Sequence, residues 1–295
     1  PPYGTSGGLF KTRIGKNCMP LDPEAFERRQ VALGAIDWSA KTIEGLSHDS
    51  LDPVEIARLR NILRALRPQS DLLSLEDHEL LNAIGIISEG EITNAGLLLL
   101  GQRDILARIL SQHEVIYLYE PTQTRIGFRD DLKAPLLYIL ERLTEYIQHP
   151  ERNPVQTLRL GLFHISIPSY PEESFREAIL NALIHRDYLE QGSVYIHHRP
   201  EEMVISNPGG FIGGITPENI LHHEPKARNR LLAEMLQKIG LVERAGMGRR
   251  RIFIPTLAHG KRPPRYEADA NTVALTLFNG SFDEPSAAFI AKRQR

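Results

Sequence analysis

Two short strand-like runs, Val194-Tyr-Ile-His-His-Arg199 and Met203-Val-Ile-Ser206, stand only three residues apart, across Pro200-Glu201-Glu202. Runs that close form a hairpin, so part of any sheet built here is antiparallel. This constrains the fold because the neighbouring sequence alternates strand-like and helix-like patterns. Residues 113–119, 158–167 and 272–278 each read as one strand. Apolar residues recur near every 3.6 positions over 132–147, and a strong helix over 172–187 begins after Pro171. A Gly/Pro-rich loop spans 207–217, followed by a helix over 228–239, a Gly turn at 246–248 and a short helix to about 258. The predicted fold class is α/β (α+β): a sandwich with helices on one face of a mixed, largely antiparallel sheet.

The preceding sequence has a different character. Residues 1–30 are Gly/Pro-rich, with a strand-like run at 9–14 and a helix opened by Asp22-Pro23. Asp suits a helix cap, and Pro suits the first helical position. One strand and one helix make no domain, so 1–30 reads as the remnant of one. Pro1 in place of Met fits a fragment or processed product. Over 31–111, Asp52-Pro53 opens a helix that Pro68 stops, Ser74 is expected to cap another with Asp77 three residues on, and 93–100 reads as a further helix. This helical connecting region shows no clear core of its own. The expected organisation is 1–30, 31–111, an α/β unit over 112–280 and a loose tail over 281–295.

Several functions are excluded early. The single cysteine, Cys18, makes no disulfide framework and fits a reducing cytoplasm. The densest apolar stretch, Ala95-Gly-Leu-Leu-Leu-Leu-Gly101, is far below the ~20 residues of a bilayer span, so no membrane partner is expected. No G-x-x-x-x-G-K-[ST], G-x-S-x-G or H-E-x-x-H occurs. His185-Arg186-Asp187 mimics a kinase triplet, but Gly192 stands where the required Asn would be. Adjacent His197 and His198 on a strand point to opposite faces and cannot share a metal.

Three pieces remain. On a helix, Glu177 and Asn181 are i and i+4, with Ile179, Leu180, Leu183 and Ile184 on the buried side. A carboxylate beside an amide can orient a water and offer oxygens to a hard cation. The spacing alone also fits a solvated pair on an amphipathic helix. Asn207-Pro208-Gly209-Gly210 follows a strand, where glycines permit either close backbone approach to a ligand or an ordinary turn. Gly246 and Gly248 precede a short helix, whose N-terminus behind glycines suits a phosphate.

Taken in order, Arg176-Glu177-Ala-Ile-Leu-Asn181-Ala-Leu-Ile-His185-Arg186-Asp187-Tyr188, Asn207-Pro208-Gly209-Gly210, Arg228-Asn229 and Gly246-Met247-Gly248 resemble the GHKL ATP-binding fold of gyrase B subunits, histidine kinases and MutL. The resemblance covers about 172–278. It is closer to the "RecG-like C-terminal" branch, found with an Alba-like or Schlafen-like N-terminal domain in proteins assigned to transcriptional regulation. Residues 8–20 are similar to the closing segment of such an Alba-like domain. The resemblance implies ATP and Mg²⁺ as cofactors, Glu177 as the water-activating carboxylate and Asn181 as the Mg²⁺ ligand. It places Asn207 at the adenine amino group, Gly209 and Gly210 in the first glycine turn, Gly246 and Gly248 in the second, facing phosphates, and Thr276 at the adenine end. Two features differ from the family pattern. Asn207 offers donors as well as an acceptor where the family has an aspartate, and the G-M-G box is short.

Residues 224–265 hold eleven Lys/Arg against three acids, a net +8, leaving −10 for the other 253 residues. Arg228, Arg249, Arg250 and Arg251 are therefore candidate contacts to ATP phosphates or DNA, unless they pair with acids elsewhere. Trp38, the single tryptophan, reads as a packing anchor. Three functions stay open: a DNA-associated regulator whose conformation or dimerisation is set by ATP and Mg²⁺; a non-catalytic oligomerisation and DNA-binding regulator with a vestigial pocket; and an assembly module for a missing N-terminal domain. No helicase motor is expected. The resemblance favours a homodimer. So does the 9–14 run, which has no partner strand nearby in the sequence and whose open edge is costly. Exchange of that arm between two chains would bury Leu9, Phe10 and Ile14.

Overall fold

The computed structural model describes residues 3–4, 10–14, 16–20, 23–160, 163–242 and 248–279. A first group comprises β1 (Tyr3–Gly4), β2 (Phe10–Ile14), β3 (Asn17–Pro20) and α1 (Pro23–Ala32). A second comprises β4 (Thr42–Ile43), α2 (Pro53–Leu66), α3 (Asp77–Ile84), β5 (Ile87–Ser88), β6 (Glu91–Thr93), α4 (Asn94–Leu100) and α5 (Arg103–Ile109). The third runs through β7 (Val115–Tyr119), β8 (Phe128–Leu132), α6 (Leu136–Gln148), β9 (Val155–Leu160), β10 (Phe163–Pro168) and α7 (Glu172–His185). It continues with β11 (Val194–His198), β12 (Glu202–Pro208), α8 (Arg230–Lys238), α9 (Gly248–Ala258), β13 (Arg265–Ala268) and β14 (Thr272–Phe278).

The principal sheet has six strands in the order β13-β14-β12-β11-β7-β8. Only the β11–β7 pair is parallel. The expected hairpin is β11–β12, with Tyr195 opposite Ser206. Burial alternates along β12, where Met203, Ile205 and Asn207 are buried. That periodicity is the mark of a sheet with helices on one face. α7 packs across β12 and against α6, α8 and α9. The fold is therefore the mixed α/β sandwich expected from the sequence.

Four expectations are corrected. The run over 158–167 is not one strand: β9 and β10 pair antiparallel, with Val155 opposite Pro168, and the connecting residues 161–162 lie outside those described. The helix expected over 132–147 begins at Leu136, because Phe128–Leu132 pairs with β7 as an edge strand. Ser74 ends a short 3₁₀ turn, and Glu76 precedes α3 instead. The connecting region does have a core. Leu59, Leu63, Leu80, Leu81, Ile84 and Leu97 to Leu100 have no exposed surface, and they join one cluster with α6 and α7. A helix apolar all round, as α4 is, belongs inside a protein.

The 9–14 run also finds local partners. β2 pairs with β3 and with β1, Lys11 lying opposite both Pro20 and Tyr3. The run therefore has partner strands close in the sequence, β3 along Lys11–Ile14 and β1 at Phe10 and Lys11, while Leu9 lies outside the described residues. No helix among the described residues is long and apolar enough to cross a membrane.

Candidate functional site

α7 carries one wall of the site. Glu172 and Glu173 in its first turn favour the helix dipole, and Phe175, Ile179 and Leu183 anchor it in the core. Glu177 and Asn181 face a cavity of about 380 Å³. Glu177 is only 4% exposed, and Asn181 Nδ2 donates to its Oε1 at 3.3 Å. Gly248, the first residue of α9, lies directly on this pair. A Cβ at 248 would stand 2.2 Å from Glu177 Oε1 and 3.7 Å from Asn181 Nδ2, so a side chain there collides with the carboxylate. α9 is seated by Ser174, whose Oγ donates to Ile252 O at 3.0 Å and accepts from Thr256 Oγ1 at 3.0 Å.

The opposite wall comes from the sheet. Asn207 lies across from Val273 and Ile205 across from Leu275, and all four line the cavity. Asn207 Nδ2 donates to Pro208 O at 3.1 Å, which commits one amide hydrogen. Thr276 pairs with Val204, and neither lines the cavity, because successive strand residues face opposite sides. The positions expected to receive support from Thr276 are walled by Val273 and Leu275. Gly210 lines the cavity, while Gly209 sits behind it at φ +93°. Phe211, Ile212, Ile215, Ile220 and Tyr266 complete the apolar wall, with exposed Lys226 and Arg230 at the rim. The sequence reading missed these residues. For Phe211, Ile212 and Ile215 the signal was the recurrence of large apolar side chains inside the Gly/Pro-rich loop over 207–217.

The rest of the motif holds the frame. Arg228 and Asp187 form an ion pair at 2.9 Å with both side chains 4% exposed. Arg228 Nε also donates to His185 O at 3.2 Å and its Nη2 to Gly210 O at 2.9 Å. Burial lowers the Arg228 pKa, opposed by the Asp187 charge. Its guanidinium is thus held by the fold's own groups at the cavity wall, where Arg228 is one of the lining residues. Asn229 Nδ2 donates to Ile184 O and Arg186 O, both at 2.8 Å, satisfying carbonyls at the end of α7. Arg186 reaches Gln112 O at 2.6 Å and Gly192 O at 2.7 Å. Tyr188 stacks on Trp38 with ring centroids 4.9 Å apart, so Trp38 is a packing anchor.

The other cations scatter. Arg250 is exposed, and Arg251 lines a second cleft with Glu172, Glu173 and Arg176. Gly246 and the side chain of Arg249 lie outside the described residues. Successive helical residues are about 100° apart, so Arg250 and Arg251 do not face the same way. Lys238 Nζ donates to Ala83 O and Ile84 O. Lys261 donates to Asn279 Oδ1, and burial lowers its pKa to about 8.

The described residues hold no group of three or more His, Cys, Asp or Glu arranged to hold a metal. Mg²⁺ commonly takes one or two protein oxygens, with waters and substrate phosphates supplying the rest. Glu177 and Asn181 match that sparse donor set.

Comparison with known proteins bears on two spans. Residues 192–277 match the family described as "Putative ATP-dependent DNA helicase recG C-terminal". This span holds Asn207, Gly209, Gly210, Arg228, Gly248 and Thr276 but begins after α7, so Glu177 and Asn181 lie outside it. Residues 28–116 match a domain of unknown function, DUF8451. No curated protein matches the chain. Among solved structures, the DIP2311 protein from Corynebacterium diphtheriae is 26% identical with a TM-score of 0.74. That match covers 98% of this chain and 56% of that one, so the chain spans little more than half its length. An ATPase-like domain match over 192–277 thus lies on a mixed α/β sandwich that has a solved counterpart.

Proposed function

We propose that the cavity binds ATP with Mg²⁺, and that its occupancy sets the conformation or pairing of a DNA-associated regulatory protein with an Alba-like or Schlafen-like N-terminal domain. The observation that carries this reading is convergence: Glu177, Asn181, Asn207, Gly210 and Gly248, from three separate segments of the chain, line one cavity. About 380 Å³ falls within the ~300–1,000 Å³ usual for small-molecule sites. Ile205, Phe211, Val273 and Leu275 suit the flat face of a base, and Asn207 suits its polar edge. Bound Mg-ATP would supply the phosphoanhydride bond and a charge-balancing cation. Glu177 would take a proton from a water beside it. Asn181 orients that carboxylate through Nδ2 and offers Oδ1 to a metal. Gly248 brings backbone to this end of the cavity with no side chain between. Phosphate release tests the assignment. Glu177→Ala should abolish turnover and spare binding, while Asn181→Ala should weaken Mg-dependent binding. Equal turnover with and without Glu177 rejects the catalytic role.

A second reading, a non-catalytic regulator with a vestigial pocket, is favoured by one contact. Gly248 packs on Glu177 Oε1, the atom that Asn181 also holds. ATP binding with no turnover in the unsubstituted protein supports it. Both readings allow pairing, and only the first makes it depend on nucleotide, which light scattering with and without Mg-ATP checks.

A further inference from the structure

The cavity wall formed by α8 is held from outside the ATPase-like span. Arg230, Ala233, Glu234 and Gln237 line the cavity at helical spacing, while Leu232, Met235 and Leu236 of the same helix are buried in the core. The first amides of a helix need acceptors. The residue before α8, Asn229, makes no side-chain cap, because its amide nitrogen is held by Ile184 O and Arg186 O. The acceptors come from almost two hundred residues away. Asp37 Oδ2 accepts from Leu231 N at 2.8 Å, and Ser39 Oγ accepts from Leu232 N at 3.3 Å. Asp37 is itself fixed by Ser39, whose N and Oγ both donate to Oδ1. Between them, Trp38 stacks on Tyr188. At the other end of α8, Lys238 reaches back to the carbonyls of Ala83 and Ile84.

We propose that Asp37 and Ser39 are positioning residues for the cavity, so that the region matching a domain of unknown function sets the binding geometry by capping its wall helix from a distant segment of the same chain. The nucleotide part of this proposal rests on the ATP reading above; the capping part does not. Hydrogen exchange and Mg-ATP titration on the full chain read both. Asp37→Ala should speed amide exchange over 230–238 about tenfold, the usual size of a lost cap. It should also weaken Mg-ATP about five- to tenfold. Asp37→Asn keeps an acceptor oxygen and should restore both. Asp52 caps α2 through Val54 N at 2.8 Å and lines no part of the cavity, so Asp52→Ala is the control for general destabilisation. It should lower the melting temperature yet leave exchange over 230–238 and ATP affinity unchanged. Ser39→Ala should give the same pattern at smaller size if Asp37→Ala does not fold. Unchanged exchange over 230–238 in Asp37→Ala, or an equal response in Asp52→Ala, overturns the proposal. So does faster exchange with ATP affinity intact. If the unsubstituted protein takes up no ATP, the functional reading fails, and the exchange ratio between Asp37→Ala and Asp37→Asn decides the capping role by itself.

Discussion

The two ends of α7 and its extension carry equally polar residues and put them to opposite uses. At 177–181 a carboxylate and an amide face a cavity and touch each other. At 186–188 an arginine, an aspartate and a tyrosine are buried and bound to the chain itself. In a sequence both ends read as one motif. The difference lies in the partners. Asp187, Gly209, Arg228 and Asn229 interlock, with Gly209 so close that a Cβ would stand 2.7 Å from Asp187 Cβ. A family signature can therefore record a frame as much as a reaction. The two are separated by asking which polar groups already have their partners at home.

The largest effect is expected at the ion pair. Arg228→Ala should cost about 3–5 kcal/mol, because it leaves the buried Asp187 carboxylate unpaired. Urea unfolding measures this, and a loss below about 1 kcal/mol would remove the pair from the frame. Acid acts on the same side of the comparison. Burial lowers the pKa of His113 and of His198 to about 4. Above pH 6.5 both histidines are neutral in the folded and the unfolded chain. Between about 6.5 and 4 only the unfolded chain takes up these protons, so stability falls as pH falls through that window. Each histidine contributes on the order of 3 kcal/mol. His113→Gln and His198→Gln should flatten the unfolding midpoint against pH, and an unchanged slope contradicts the assignment.

Smaller effects sharpen the comparison. Gly209→Ala should cost about 1–3 kcal/mol, since it forces a Cβ onto Asp187 at positive φ. Gly45→Ala, also at positive φ but with nothing within 4 Å, should cost less, and equal losses by urea titration would discount the close approach. Smallest is Glu177→Gln, expected within about 1 kcal/mol of the unsubstituted protein, because the amide keeps an acceptor for Asn181. A loss as large as that of Arg228→Ala would make Glu177 part of the frame.

The central strands, the β11–β12 hairpin and α7 were legible because each carries the period of its own structure. The sheet's two edges were not. Arg265–Ala268 is largely exposed, and Phe128–Leu132 alternates polar residues outward, so neither shows an apolar run. Convergence of Glu177, Asn207 and Gly248 was legible from motif order. The burial of Arg228 against Asp187 and of Thr276 on the sheet face away from the cavity was not, since the one depends on a partner distant in sequence and the other on strand register. The distant cap on α8 left no local mark, because Asp37 and Ser39 resemble any short polar turn.

Nucleotide binding at the α7–β12–α9 cavity is tested most directly by unfolding the unsubstituted chain with and without Mg-ATP. At a hundred times its dissociation constant, a ligand held only by the folded state adds about 2.7 kcal/mol. Mg-ATP should give that gain, and Asn181→Ala should reduce it. An unfolding curve that does not move at millimolar Mg-ATP would contradict nucleotide binding there.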